Sequence, residues 1–187
     1  WFPNWRWYRE YVGGILSDWG AHMFDIVQWA LDKDHTGPVK YEAPMEPTAS
    51  RGLVMHYDDG VEVEHRNFGR GFAVRFFGSN GTLDISRSFF ETNPKDLLNI
   101  KFKSTDIKLY VSESHENDWV SSAKEGSKPI CDVEIGHRTA TICHIANLAY
   151  EFRRPLNWDP VKEVFIDDFE ANLRRGKQYR KPYELKI

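Results

Sequence analysis

Cysteine is scarce in this chain: 187 residues contain two, Cys131 and Cys143. That is too few for a disulfide framework or a cysteine-rich metal cluster, and it favours a reducing, cytoplasmic setting. Long apolar runs are absent as well. No segment approaches the roughly 18 to 20 residues of a membrane span, so no membrane partner is expected. Nor is there an excess of positive charge. The 25 Lys and Arg stand against 28 Asp and Glu, a formal net charge of -3, and a surface that cannot neutralise phosphates predicts no nucleic-acid partner. A strand-Gly-x-Gly-x-x-Gly-helix unit is missing too. Gly69-Arg70-Gly71 falls between two predicted strands and precedes no helix, so a dinucleotide pyrophosphate has no cradle in this chain and no bound nucleotide is expected on it alone. The chain opens on Trp1 with no signal peptide, and it reads as a fragment whose true N-terminus would carry any address signal, which leaves periplasmic export open.

What the chain does have is enough apolar material, 41% of residues, for one core, and residues 1–187 are read as a single domain. Its most informative segment is Gly13-Gly14 followed by Asp18, His22, Asp25 and Trp29. On a helix these four fall at i, i+4, i+7 and i+11, one narrow stripe, while Leu16, Gly20, Met23, Phe24, Val27, Ala30 and Leu31 make the core face. A merely solvated face would carry Lys, Glu and Gln. Two short Asp residues, poor formers of helix interiors, flanked by Ile15, Trp19 and Ile26, point instead to a site whose carboxylates sit against desolvating surface. Three ligands on one stripe spread over about 10 Å at 1.5 Å per residue, too far for one small ion, so no metal is expected.

Beyond that helix, the pattern predicts strands over 39–43, 53–57, 61–68, 72–78 and 82–87. Asp58-Asp59-Gly60 and Ser79-Asn80-Gly81 form the hairpin turns, giving an antiparallel meander. One face should pack on helices, and the other mixes Glu62, Glu64, Arg66, Arg75 and Phe77, a solvated face or an oligomer interface. Residues 88–116 read as a polar loop with a short strand near 107–111. Helices are predicted over 117–124, closed by Gly126, over 137–152, ended by Pro155, and over 163–175. The fold class is α+β: an open, predominantly antiparallel sheet with helices on one face.

The run Trp5-Arg6-Trp7-Tyr8-Arg9-Glu10-Tyr11-Val12-Gly13-Gly14, then Asp18, His22, Asp25 and Trp29, resembles the start of the C-terminal domain of the Gfo/Idh/MocA (glucose-fructose oxidoreductase / inositol dehydrogenase) family. Pro129 to Arg138, Leu156 to Pro160 and Tyr179-Arg180-x-Pro182-Tyr183 continue the match in order, so the resemblance spans nearly the whole chain. It implies a bacterial NAD(P)-dependent dehydrogenase acting on the CH-OH group of a sugar, cyclitol or sugar derivative, with NAD or NADP bound by an N-terminal Rossmann domain absent from this chain. It also implies a homodimer or homotetramer built through the open sheet face. The family's Asp and the His four residues later map onto Asp18 and His22, making His22 the general acid/base and Asp18 its electrostatic partner.

Asp25 would accept bonds from other substrate hydroxyls. Arg6, Trp7 and Trp19 are expected at the substrate, the aromatics against the C-H faces of a sugar ring and the guanidinium as donor. Trp5, Tyr8 and Arg9 are further candidates, whereas Trp29 is expected in the core and His137 at a cap or facing water. Two other readings stand beside the dehydrogenase: a relative that uses transient oxidation by NAD to cleave a glycosidic bond, and a non-catalytic sugar-binding or assembly domain.

Overall fold

The computed structural model describes residues 4–106, 109–176 and 179–183. The polypeptide begins with a 3-10 turn, Asn4–Trp7, and one turn of helix, α1 (Arg9–Val12). It then breaks at Gly13 and continues as α2 (Gly14–Ala30). The break depends on glycine. Gly13 adopts φ 82°, ψ 10°, the left-handed conformation that closes α1 and that a Cβ disfavours.

Three strands follow, β1 (Lys40–Glu42), β2 (Leu53–His56) and β3 (Glu62–His65), joined later by β7 (Leu156–Asp159) and β8 (Val164–Phe165) in an antiparallel sheet of order β3-β2-β1-β7-β8. Tyr41 of β1 stands opposite both Met55 and Leu156. These side chains share the inner face with Leu53, and they are buried against α4 (Val133–Phe152) through Ile142, Cys143, Ala146 and Ala149 and against α2 through Leu16 and Phe24. The outer face carries a ladder of charge instead, where Glu42 meets Lys40 and His56, and His56 meets Glu62. This alternation is what a strand with one solvated face requires.

A second antiparallel sheet, β4 (Val74–Gly78), β5 (Gly81–Ile85) and β6 (Phe90–Asn93), stands apart from the first. The single meander expected from the sequence is therefore two sheets, because residues 66–73 lead from β3 to β4 without pairing them. Within the small sheet Arg75 lies opposite Asp84 and makes a bidentate pair with it at 2.6 and 2.7 Å. That pair explains how a carboxylate can be buried in a strand.

Other boundaries also moved. The polar loop over 88–116 contains β6 and a 3-10 turn, Lys95–Asn99; of the strand expected near 107–111, residues 107 and 108 lie outside the described residues and 109–111 form no strand. Helix α3 spans His115–Glu125, its first turn capped by Ser114 and its end closed by Gly126. Helix α4 starts four residues earlier than periodicity indicates and ends at Arg153 before Pro155 is reached. The helix expected over 163–175 resolves into β8, a turn and the short α5 (Phe169–Leu173), where Asp168 caps the helix and Asn172 bonds back to Phe165 in both directions. Its apolar residues serve a strand and a helix in succession, which helical periodicity cannot separate.

Two polar side chains, one buried and one partly buried, tie these layers together. Gln28 is fully buried, donating to the carbonyls of Lys33 and Thr36 and accepting from the Tyr57 hydroxyl, which fixes the turn that follows α2. Tyr150 of α4 accepts from the Leu53 amide and bonds to Nδ1 of His65, so the edge strand β3 is anchored to α4. In the tautomer with the ring proton on Nε2, the Tyr150 hydroxyl accepts from the Leu53 amide and donates its own proton to Nδ1.

Burial, reinforced by the charge of Arg51, pushes the His65 imidazole down to about 4. An unfolded chain protonates the same ring near 6.5, so it binds more protons between those values. Stability is therefore expected to be full above about pH 6.5 and to fall by up to about 3 kcal/mol as the pH drops towards 4; urea unfolding across that range, compared with His65→Gln, should show the slope in the wild type and its loss in the variant. A Cβ on Gly13 would meet Ser17 Oγ at 2.3 Å, so Gly13→Ala is expected to cost about 1 kcal/mol or more in the same assay.

Candidate functional site

The rotation of helix α2 decides which of its residues remain free. On one flank Asn147 of α4 donates to the Gly13 carbonyl at 2.8 Å and to Ser17 Oγ at 3.0 Å, and Thr139, itself 5% exposed, lies 3.3 Å from Asp25 Oδ1. On the inner side Leu16, Phe24 and Val27 are buried. On the other flank Trp19 stacks on Phe72, centroids 4.4 Å apart and planes within 7°. At about 100° per residue, Asp18 and His22 then face outward in the gap between α4 and the small sheet.

The predicted stripe is thus real as a stripe but divides into distinct environments. Asp18 is paired with Arg6 Nε at 3.5 Å, and Arg6 lies over the Trp5 ring. His22, one turn on, is exposed, with Trp19 edge-on to its ring at 5.7 Å. A guanidinium nitrogen of Arg87 lies 3.5 Å from Nδ1 and 3.3 Å from Nε2 of the same ring. Near-equal distances to both ring nitrogens put that nitrogen over the face of the imidazole, since an in-plane bond to one would carry it well beyond reach of the other. The nitrogen edges of His22 consequently stay open to a ligand.

Asp25 sits at the opposite end. Its contact with Thr139 makes it part of the α2–α4 seam as well as of the stripe. Desolvation and the nearby Asp25 charge raise the carboxyl of Asp34, and desolvation with the charges of Asp25, Asp34 and Asp132 raises the Cys131 thiol. This acidic corner is separate from the Arg6 and Arg87 end. Among the described residues no group of three or more His, Cys, Asp or Glu side chains is arranged to hold a metal ion.

The remaining candidates are scattered. Trp7 is 64% exposed on the 3-10 turn, with its ring turned to solvent. Arg9 is engaged by Glu151 and the Asn147 carbonyl, and Tyr8 lies edge-on to Tyr11. Trp29 is 45% exposed, which corrects its expected place in the core: it lies on the outward stripe where α2 ends and no described element covers it. His137, in the second turn of α4, bonds to Glu163. A groove of about 990 Å³ runs along α2, lined by Leu16, Phe24 and Val27, by Trp19 and Phe72, and by residues of β3 and β4. It is apolar at its floor and meets the stripe's flank at Trp19, but none of the stripe's carboxylates lines it.

Two residues at the site escaped the sequence reading. The sequence puts Phe72 at the start of one predicted strand, 72–78, and Arg87 at the end of another, 82–87. Arg87 in fact sits in the turn joining β5 to β6, where the Ser86 amide bonds to the Phe89 carbonyl, and its guanidinium lies 4.9 Å over the Trp19 ring. No local signal marks it, because β6 itself was not evident.

The model of a family described as "Oxidoreductase family, C-terminal alpha/beta domain" matches residues 2–185. Neither the curated proteins nor the solved structures returned a match. No helix among the described residues is long and apolar enough to cross a membrane. With the family model covering nearly all of its length, this chain belongs to the Gfo/Idh/MocA oxidoreductases, as their C-terminal α/β domain.

Proposed function

We propose that this domain binds a sugar, cyclitol or sugar derivative and handles the proton in an NAD(P)-dependent oxidation of one of its CH-OH groups. The observation that carries the reading is the setting of His22: an exposed imidazole one turn from Asp18, with its ring face covered by Arg87 and its nitrogen edges open. A neutral imidazole so placed can accept the hydroxyl proton as the carbonyl forms, and return it in the reverse reaction. Asp18, tethered by Arg6, then supplies a negative charge beside the imidazolium that results, and an acceptor for a neighbouring hydroxyl. Trp19 offers its remaining surface to the apolar side of a ring.

Gly69–Gly71 lies between β3 and β4 and opens no helix, so this run does not form the glycine-rich helix N-terminus that cradles a pyrophosphate. The nicotinamide nucleotide, whose chemistry is to take the hydride from the carbinol carbon, is assigned to another domain of the intact protein, and no residue here is given a part in that transfer. Assembly through the open sheet face belongs to the same proposal; Phe77, exposed on β4, supports it.

The test is steady-state nicotinamide reduction by the intact protein against sugars, cyclitols and sugar acids, beside His22→Ala. Loss of a general base typically costs 10²- to 10⁴-fold, so kcat should fall by about that factor with little change in KM. An unchanged kcat in the variant would remove His22 from the chemistry. Release of a free sugar without net nicotinamide reduction would favour cleavage of a glycosidic bond instead.

A further inference from the structure

The guanidinium of Arg87 has an unusual set of neighbours. Several arginines of the fold meet carboxylates, Arg75 with Asp84, Arg154 with Asp168, Arg9 with Glu151 and Arg6 with Asp18, and Arg153 donates to three backbone carbonyls. Arg87 meets only rings, the His22 imidazole and the Trp19 indole, and it pairs with no carboxylate among the described residues. One of its terminal nitrogens makes the contact with His22, and the other N–H donors have no protein partner among the described residues. The nearest stripe carboxylates are otherwise engaged, Asp18 by Arg6 and Asp25 towards Thr139.

The group is nevertheless held in place. Trp19 is fixed by its stack on Phe72, and Arg87 lies in a tight turn closed by the Ser86 to Phe89 hydrogen bond. A stacked guanidinium keeps its planar fork of donors directed outward, the geometry that matches carboxylate or phosphate oxygens.

We infer that Arg87 recognises an anionic group on the substrate, a carboxylate or phosphate carried on the sugar or polyol whose hydroxyl faces His22. The inference rests on the proposed function for the location of the reacting hydroxyl, and it narrows the substrate class from neutral polyols to sugar acids or sugar phosphates. Arg87 is a specificity residue in this account. It orients the substrate by its anion and takes no proton.

Binding, rather than turnover, separates this inference from the catalytic one. Isothermal titration of the intact protein with D-glucuronate and D-glucose 6-phosphate, each against D-glucose, should show one anion binding at least tenfold more tightly than the neutral sugar. That preference should weaken as salt is raised. Arg87→Gln should abolish it, a loss of about tenfold or more for a charged hydrogen bond, while Arg87→Lys should retain part of it and shows that the loss follows charge rather than folding. The comparison of the two anions identifies carboxylate or phosphate as the group. Equal binding of D-glucose, failure of both anions to bind at millimolar concentration, or a preference that survives Arg87→Gln would each overturn the inference. His22→Ala in the same titration should keep the anion preference, so a failure of the acid/base reading appears in kcat and a failure of this one appears in binding.

Discussion

The polar seam between α2 and α4 sets the rotation of the helix on which everything else is arranged. Asn147 grips Gly13 and Ser17 at the start of α2, and Thr139 meets Asp25 two turns later. Two fixed points on a rigid helix leave no rotational freedom, because each residue is about 100° from the next. With Ser17 and Asp25 turned to α4, Leu16, Phe24 and Val27 must enter the core and Asp18 and His22 must face outward. Slippage by one residue would expose the apolar face and bury the acidic one. Gly13 allows the seam to form at all, since its left-handed turn brings the carbonyl that Asn147 binds to the head of the helix.

The small sheet contributes the other wall. It does not extend the five-stranded sheet; it leans on α2 through Phe72 and Trp19. The aromatic stack carries the β5–β6 turn, and with it Arg87, over the His22 ring. The Arg75–Asp84 pair ties β4 to β5 at the end of β5 next to the turn that carries Arg87. The site is thus assembled from a helix and a hairpin whose residues are some 65 positions apart in the chain, His22 and Arg87.

Much of this was legible beforehand because it depends on short-range chemistry. Asp58-Asp59-Gly60 and Ser79-Asn80-Gly81 mark hairpins wherever they occur between apolar alternations, and both hairpins are present. The capped α3 and the amphipathic α2 follow from spacing. The misplacements share a cause: the turns before β6 and β8, residues 86–89 and 160–163, contain no glycine to mark a hairpin, and β7 pairs with a strand more than a hundred residues earlier, so distant partners supply the ordering. Trp29 was misread for a related reason, since whether a large aromatic on a polar stripe is covered depends on what the chain does after the helix ends.

The sequence by itself determined the fold class, the helical stripe of Asp18, His22 and Asp25, and the resemblance that assigned the chain to an oxidoreductase family, because each rests on periodicity or on ordered local motifs. Only the tertiary structure decided that the sheets are two, that Asp25 belongs partly to the α2–α4 seam, and that Arg87 lies over His22. Those outcomes depend on side-chain packing between distant segments, where a stacked indole or a single amide hydrogen bond selects one arrangement among several that the local sequence permits equally.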